Sequence, residues 1–234
     1  FNGDVSEWDM LSATDMSGMF SYETLFNGKI SKWDVSSSID MSVMFLGAAS
    51  FNSDVSKWDV SSVTTISGMF MSAISFNGDL SKWNVSSVTS MDKMFFEAKS
   101  FKQKLCGASW VNSKASQQDM FAGSSGSISK TVCSTTPSAL TTTTTTNTAI
   151  LTTTAATFTT TATTTTSTTT TTTTTLATHT TAFLSTAELK GAVEACLKSS
   201  PEGHCSDDAH GPIAGWDVSR IDDMSGLFAK ANSF

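Results

Sequence analysis

Large apolar residues return along this chain on a fixed period. Phenylalanine stands at Phe1, Phe26, Phe51, Phe76 and Phe101, a spacing of 25 residues throughout. Tryptophan follows seven residues later, at Trp8, Trp33, Trp58 and Trp83. Each unit then closes on a Met-Phe pair (Met19-Phe20, Met44-Phe45, Met69-Phe70, Met94-Phe95), with Met16, Met41, Ile66 and Met91 three residues ahead of it. A repeat of this length is a structural unit that cannot bury its apolar face alone and must stack on its neighbours. Within the unit, Asp54 to Trp58 carries β-branched and aromatic residues and predicts a short strand. Val63, Ile66, Met69 and Phe70 then fall at three- and four-residue steps, the spacing of a short helical turn. Ser62 or Thr64 would cap that turn, and Gly68, like Gly18, would keep it short. The expected fold class is therefore an α/β solenoid, each coil made of one short strand plus a short helical turn.

Polar positions keep the same register. Asn2, Asn27, Asn52 and Asn77 form one row and Ser6, Ser31, Ser56 and Ser81 another, the pattern of side chains that satisfy backbone groups at the corners of stacked coils. A third row, Lys32, Lys57 and Lys82, runs beside Asp34, Asp59 and Asn84. Stacking would align these as a charged stripe, open to two readings: a solvated face or a binding face.

The period fades after Phe101. Leu105, Trp110 and Met120-Phe121 still echo it, while Cys106 and Cys133 appear, as expected of an atypical terminal repeat that shields the end of a core. From Ser134 to Ala182 composition collapses to threonine, with 29 Thr and no Asp, Glu, Lys or Arg among residues 141–181. Such a tract has almost nothing to bury and reads as a disordered, mucin-like O-glycosylated linker, with β-rich aggregation as the competing reading. Order is expected to return at Phe183. Ser185-Thr-Ala-Glu188 is a capping box, Leu189, Ala192, Val193 and Cys196 share one helical face, and the helix should stop before Pro201. Trp216, Ile221, Met224, Leu227-Phe228 and Phe234 then restart the unit. The predicted organisation is a repeat array with a C-terminal cap over 1–133, a Thr-rich linker over 134–183, and a capping helix with the first repeat of a second array over 184–234. A chain that begins and ends on the repeat's phenylalanine reads as a piece of a longer tandem protein.

The pattern F-N-x-D-[VL]-S-K-W-[DN]-V-S-S-V-T-x-[MI]-x-x-M-F-x-x-A-x-S-F closely resembles the BspA-like leucine-rich-repeat surface proteins, over residues 1–105 and 213–234. The resemblance implies leucine-rich-repeat-like coils on a secreted or surface-anchored protein concerned with adhesion and recognition. It also implies a disulfide, Cys106–Cys133, stapling the cap. One position departs from the pattern: Glu23 stands where other units carry Ala48, Ala73 and Ala98, and implies a first coil looser or open to solvent there.

Composition removes several functions. With 14 Lys and Arg against 21 Asp and Glu, net charge −7, the chain lacks the cationic surface that nucleic acid or an anionic membrane requires. No apolar run is long enough to span a bilayer. The four cysteines fall into two local pairs, Cys106 with Cys133 and Cys196 with Cys205, which together with a glycan-type linker favour disulfides in an oxidising compartment. Zinc is the rival for the second pair, since His204 and His210 lie close by, though neither a CxxC nor an HxxxH spacing is present. No nucleophile–histidine–acid, nucleotide-binding or metalloprotease motif can be written, so no catalytic residue and no cofactor is expected. Asn84-Val85-Ser86 is an N-glycosylation sequon. The reading reached from sequence is a non-catalytic extracellular or cell-surface recognition and adhesion protein with a protein or glycan ligand. The alternative is a structural cell-wall or matrix component with no specific ligand.

Overall fold

The computed structural model describes residues 1–133, 182–206, 210–229 and 231. The expected linker falls, for all but its last two residues, outside the described part. The described residues form one compact unit.

Each 25-residue unit is one coil built almost wholly of β-turns. In the first, Trp8 N–H donates to Val5 O, Ala13 to Met10, Met19 to Met16, Ser21 to Gly18, Glu23 to Phe20 and Phe26 to Glu23. The strand expected over 54–58 and the helical turn expected over 63–70 are both replaced by such turns. The reason lies in the bonding: apolar residues at three-residue steps suit a helix, but also a succession of turns, each closed by an i to i+3 bond. Here Val60 and Val63, Ile66 and Met69, and Phe70 and Ala73 are the buried ends of three turns.

Alternate residues of the second half of a coil bond to the next coil instead. Met16, Gly18, Phe20 and Tyr22 donate to the carbonyls of Asp40, Ser42, Met44 and Leu46, and the later coils repeat the pattern one unit further on. A column of single-residue parallel bridges marks the register, joining Asp15, Asp40, Thr65, Ser90 and Ser116 in turn. This alternation needs a left-handed residue at two places per coil. Gly18 and Gly68 have φ of 61° and 62° at the first of them, where the equivalent residues Val43 and Lys93 sit at 49° and 56°.

The core is a set of aromatic columns. Phe26, Phe51, Phe76 and Phe101 stack at 5.9–6.0 Å between successive rings. Phe20, Phe45, Phe70 and Phe95 stack alongside at 5.6–5.8 Å. The two columns interlock, since Phe20 lies 3.8 Å from Phe26 and Phe45 3.8 Å from Phe51. Each indole is tied to the coil before it: Trp33 Nε1 donates to Val5 O, Trp58 to Ile30 O, Trp83 to Val55 O and Trp110 to Leu80 O. Thus a residue chosen for burial also closes the buried polar account of its neighbour's turn.

The far end departs from the unit. Strand β1 (Lys104–Leu105) pairs in parallel with β2 (Ser127–Ile128), and a short helix, α1 (Ala108–Val111), brings Trp110 into the core. The 14-residue helix α2 (Thr186–Ser199) begins at Ser185, whose hydroxyl accepts from Glu188 N–H, and ends ahead of Pro201. Its buried face is Leu189, Val193, Cys196 and Leu197.

The segment expected to start a second array instead covers the first coil of this one. Trp8 Nε1 donates to Ile213 O at 2.9 Å, as Trp33 does to Val5. Thr14 and Asp15 N–H donate to Asp222 O, while Met224, Gly226 and Phe228 N–H donate to the carbonyls of Asp15, Ser17 and Met19. The bridge column gains Asp223, paired with Asp15. This covering also overturns the expectation for Glu23. Its carboxylate is fully buried, contacts the Phe1 nitrogen and accepts from Ala231 N–H at 2.8 Å. A side chain longer than alanine fits there because Phe1 of the same coil and Ala231 of the covering segment each supply a nitrogen to its carboxylate.

Candidate functional site

Lys32, Lys57 and Lys82 sit at the outer corners of equivalent β-turns. Each turn starts on a buried aliphatic residue and closes on a buried tryptophan: Trp33 N–H to Ile30 O, Trp58 to Val55, Trp83 to Leu80, at 3.0–3.2 Å. Both ends of the turn are held in the core, so the Ser-Lys pair between them must face water. All three lysines are exposed. The turns are spaced by the stack beneath them, where the Trp33 and Trp58 rings lie 6.3 Å apart and nearly parallel. Lys32 Nζ approaches Glu7 Oε1 of the preceding coil at 4.0 Å, with both side chains largely in solvent, a pairing that contributes little.

The residue after each tryptophan is anionic or amide and is aimed by its own turn. Asp34 Oδ1 accepts from Ser36 N–H at 3.1 Å, Asp59 Oδ1 from Ser61 N–H at 3.0 Å and Asn84 Oδ1 from Ser86 N–H at 3.3 Å. Hydrogen bonds from the serine side chain and then its N–H hold Asp34 and Asp59 below the usual carboxylate range. Asp34, Asp59 and Asn84 are exposed, and the Asn84 amide also accepts from the Ser86 hydroxyl at 2.7 Å. The outcome is a face of cations at turn corners alternating with oriented oxygen acceptors, repeated once per coil.

The asparagine row does a different task. Asn27 N–H donates to Asn2 Oδ1, Asn52 to Asn27 and Asn77 to Asn52, each at 2.9 Å, and Lys102 N–H continues the series onto Asn77. These side chains stitch coil to coil. The serine row is served by aspartates two residues earlier: Ser6, Ser56 and Ser81 N–H donate to Asp4, Asp54 and Asp79 Oδ1. Lys29 occupies the aspartate's place before Ser31.

Sequence patterning did not reveal two grooves. One, of about 320 Å³, lies between the coil of Ser86 and Thr89 and the end of α1, with Ser109 in the helix and Asn112 at its C-cap. It exists because α1 replaces a regular coil where the repeat has faded, so no periodic signal marks it. The other, of about 370 Å³, is lined by Val43, Met71, Asp92, Lys93 and Gln118 along the bridge column. Neither brings a nucleophile to a histidine base. Among the described residues, no three His, Cys, Asp or Glu side chains gather as metal ligands.

Cys106 is disulfide-bonded to Cys133 and Cys196 to Cys205, with Cα separations of 5.1 and 5.4 Å. The first joins β1's end to the close of the array, and the second ties α2 to the loop after it. His204 is exposed, 3.7 Å from Glu202, while His210 packs against the Phe183 ring at 4.7 Å. No helix among the described residues is long and apolar enough to cross a membrane.

No curated protein and no solved structure matches the chain. A protein family described as "Mycoplasma protein of unknown function, DUF285" matches residues 1–110, 40–132 and 203–234. Those stretches are the coils, the cap after them and the segment that covers the first coil, well over half of the sequence. The chain belongs to the DUF285 family.

Proposed function

We propose that this chain is a non-catalytic recognition and adhesion protein of the cell surface or extracellular space, a leucine-rich-repeat-like solenoid that presents one polar motif many times. The observation that carries the reading is the repeated face itself: Lys32, Lys57 and Lys82 on equivalent turn corners, each with an oriented acceptor two residues on. Its spacing is set by a stacked core and not by flexible loops. A protein or glycan with groups at matching intervals engages several coils at once, and weak contacts add through multivalency. The two disulfides and the threonine-rich composition of 134–182 support an oxidising, extracellular setting. Asn84 is then a glycosylation site on the same face, and a glycan there sets one limit of the ligand footprint.

The test is binding of the intact oxidised chain to protein and glycan arrays, repeated with Lys32, Lys57 and Lys82 changed together to Ala. Removing three rim charges is expected to lower affinity roughly tenfold at low salt, chiefly through the association rate. Unchanged binding removes this face from consideration. An absence of any saturable ligand favours the second reading, a cell-wall or matrix component. That reading draws support from the asparagine row, whose side-chain oxygens are spent on neighbouring coils.

A further inference from the structure

We propose that residues 183–231 are an exchangeable end piece, and that copies of this chain associate by placing it on one another's first coil. The partner is a second copy of the same chain. Four observations carry this.

The interface between this piece and coil 1 is a regular coil-to-coil joint. Trp8 Nε1 bonds to Ile213 O, Phe228 N–H bonds to Met19 O, and the Phe228 ring lies 5.4 Å from Phe20, values matching those between consecutive coils elsewhere. To these repeat contacts it adds a bond from Ala231 N–H to the Glu23 carboxylate, which is likewise noncovalent.

The register is also that of a preceding unit. Ile213, Trp216, Met224 and Phe228 repeat the spacing of Val5, Trp8, Met16 and Phe20. In the regular coils the phenylalanine six residues after the Met-Phe pair stacks on it at 3.8–3.9 Å. Phe1 fills that role against Phe228, at 4.1 Å and 2° between planes. Phe1 thus takes the register that the repeat assigns to Phe234, and the piece stands where an earlier coil would.

The covering segment does not reach coil 1 by chain continuity with it. Five steps of 5.4–5.8 Å separate Phe121 at the far end of the column from Phe228, about 28 Å in all. The 49 residues of 134–182 connect one end to the other.

Finally, no covalent bond holds the piece in place. Each disulfide closes within its own part, Cys106 to Cys133 and Cys196 to Cys205, so exchange requires no thiol chemistry. A joint of repeat contacts, a long connection and separate disulfides are the conditions under which an element passes between protomers at little energetic cost. Closure within one chain wins in dilute solution, and exchange wins as protein concentration overtakes the effective concentration set by the connection.

Shortening the connection decides the matter. With 134–182 reduced to four residues, the chain spans at most about 18 Å and cannot return to its own coil 1. The shortened chain is expected to run as a dimer or larger species by light scattering, with Trp8 as protected from quenchers as in the parent. A monomer with coil 1 uncovered would overturn the proposal. Independently, two tagged preparations of the unshortened chain are denatured with disulfides intact and refolded together. One tag is expected to capture the other after refolding at high concentration and not after refolding at high dilution. Failure to co-capture at every concentration overturns the proposal as well.

Discussion

At the scale of single residues, the coil asks for backbone conformations that its side chains do not all favour. Val43 is a β-branched residue at φ 49°, in the position where Gly18 and Gly68 stand. A side chain in the left-handed region costs roughly 1–2 kcal/mol, whereas glycine's extra freedom in the unfolded chain costs about 0.5–1 kcal/mol. Val43 is half-buried at the rim of a groove, so it gives up little packing when truncated. Val43→Gly is therefore expected to stabilise the protein by about 0.5–1 kcal/mol, seen as a thermal midpoint a few degrees higher. A lower midpoint would show that its methyl contact over Gly68 outweighs the strain.

The turn aspartates make the second residue-scale prediction. Asp34, Asp54 and Asp59 are each held below the usual carboxylate range, first by a bond from the serine hydroxyl two residues on and then by its N–H. Their folded values lie under the unfolded value near ~3.9. The stability they contribute is thus fully present above about pH 4 and drains away as pH falls through the folded values. Changing Asp34 and Asp59 to Asn preserves the acceptor and removes the titration. The variant should lose less stability than the parent between neutral pH and pH 2 in urea titrations. Equal slopes would mean that the two carboxylates are no better placed in the fold than in the unfolded chain.

At the scale of elements, what was readable depended on how local the cause is. Helix α2 could be placed from Ser185, Glu188 and Pro201 because a capping box and a proline act within a few residues of the end they define. Ser185 Oγ accepts from Glu188 N–H, the first half of the box, while the Glu188 carboxylate reaches one residue past the cap and accepts from Leu184 N–H at 3.0 Å. Ser185→Ala should cost about 1 kcal/mol, with earlier loss of helical signal and faster amide exchange over 186–190 than elsewhere. The coil interior differs from its local pattern for the complementary reason. Val63, Ile66 and Met69 suit a helical face and a run of turns equally well, and the choice is made by hydrogen bonds to the next coil, 24 residues away. Likewise the lysine row was evident in the period, but the groove by Ser109 and Asn112 depends on α1, which sits where periodicity has lapsed. Set against Ala48, Ala73 and Ala98, Glu23 implies a first coil looser or open to solvent, because neither of its partners is local: Phe1 is 22 residues away and Ala231 is 208.

At the scale of the whole molecule, the structure behaves as a one-dimensional stack in which each coil knows only its two neighbours. Removing residues 51–75 joins Ser50 to Phe76 at an ordinary unit boundary. Phe76 then meets Phe26 as Phe51 did, Trp83 Nε1 finds Ile30 O in place of Val55 O, and Ser90 takes the bridge to Asp40 that Thr65 held. Every buried polar group keeps a partner of the same kind. The shortened protein is expected to unfold in one cooperative transition, at a lower midpoint because one coil and one interface are gone, with native near-ultraviolet dichroism. Removing only residues 51–63 shifts later coils by half a period, placing Thr64 where a phenylalanine must stack, and should abolish both the transition and the aromatic signal. If the two deletions unfold alike, the aromatic columns are not what sets the register, and the stability of the array must come from contacts within each coil.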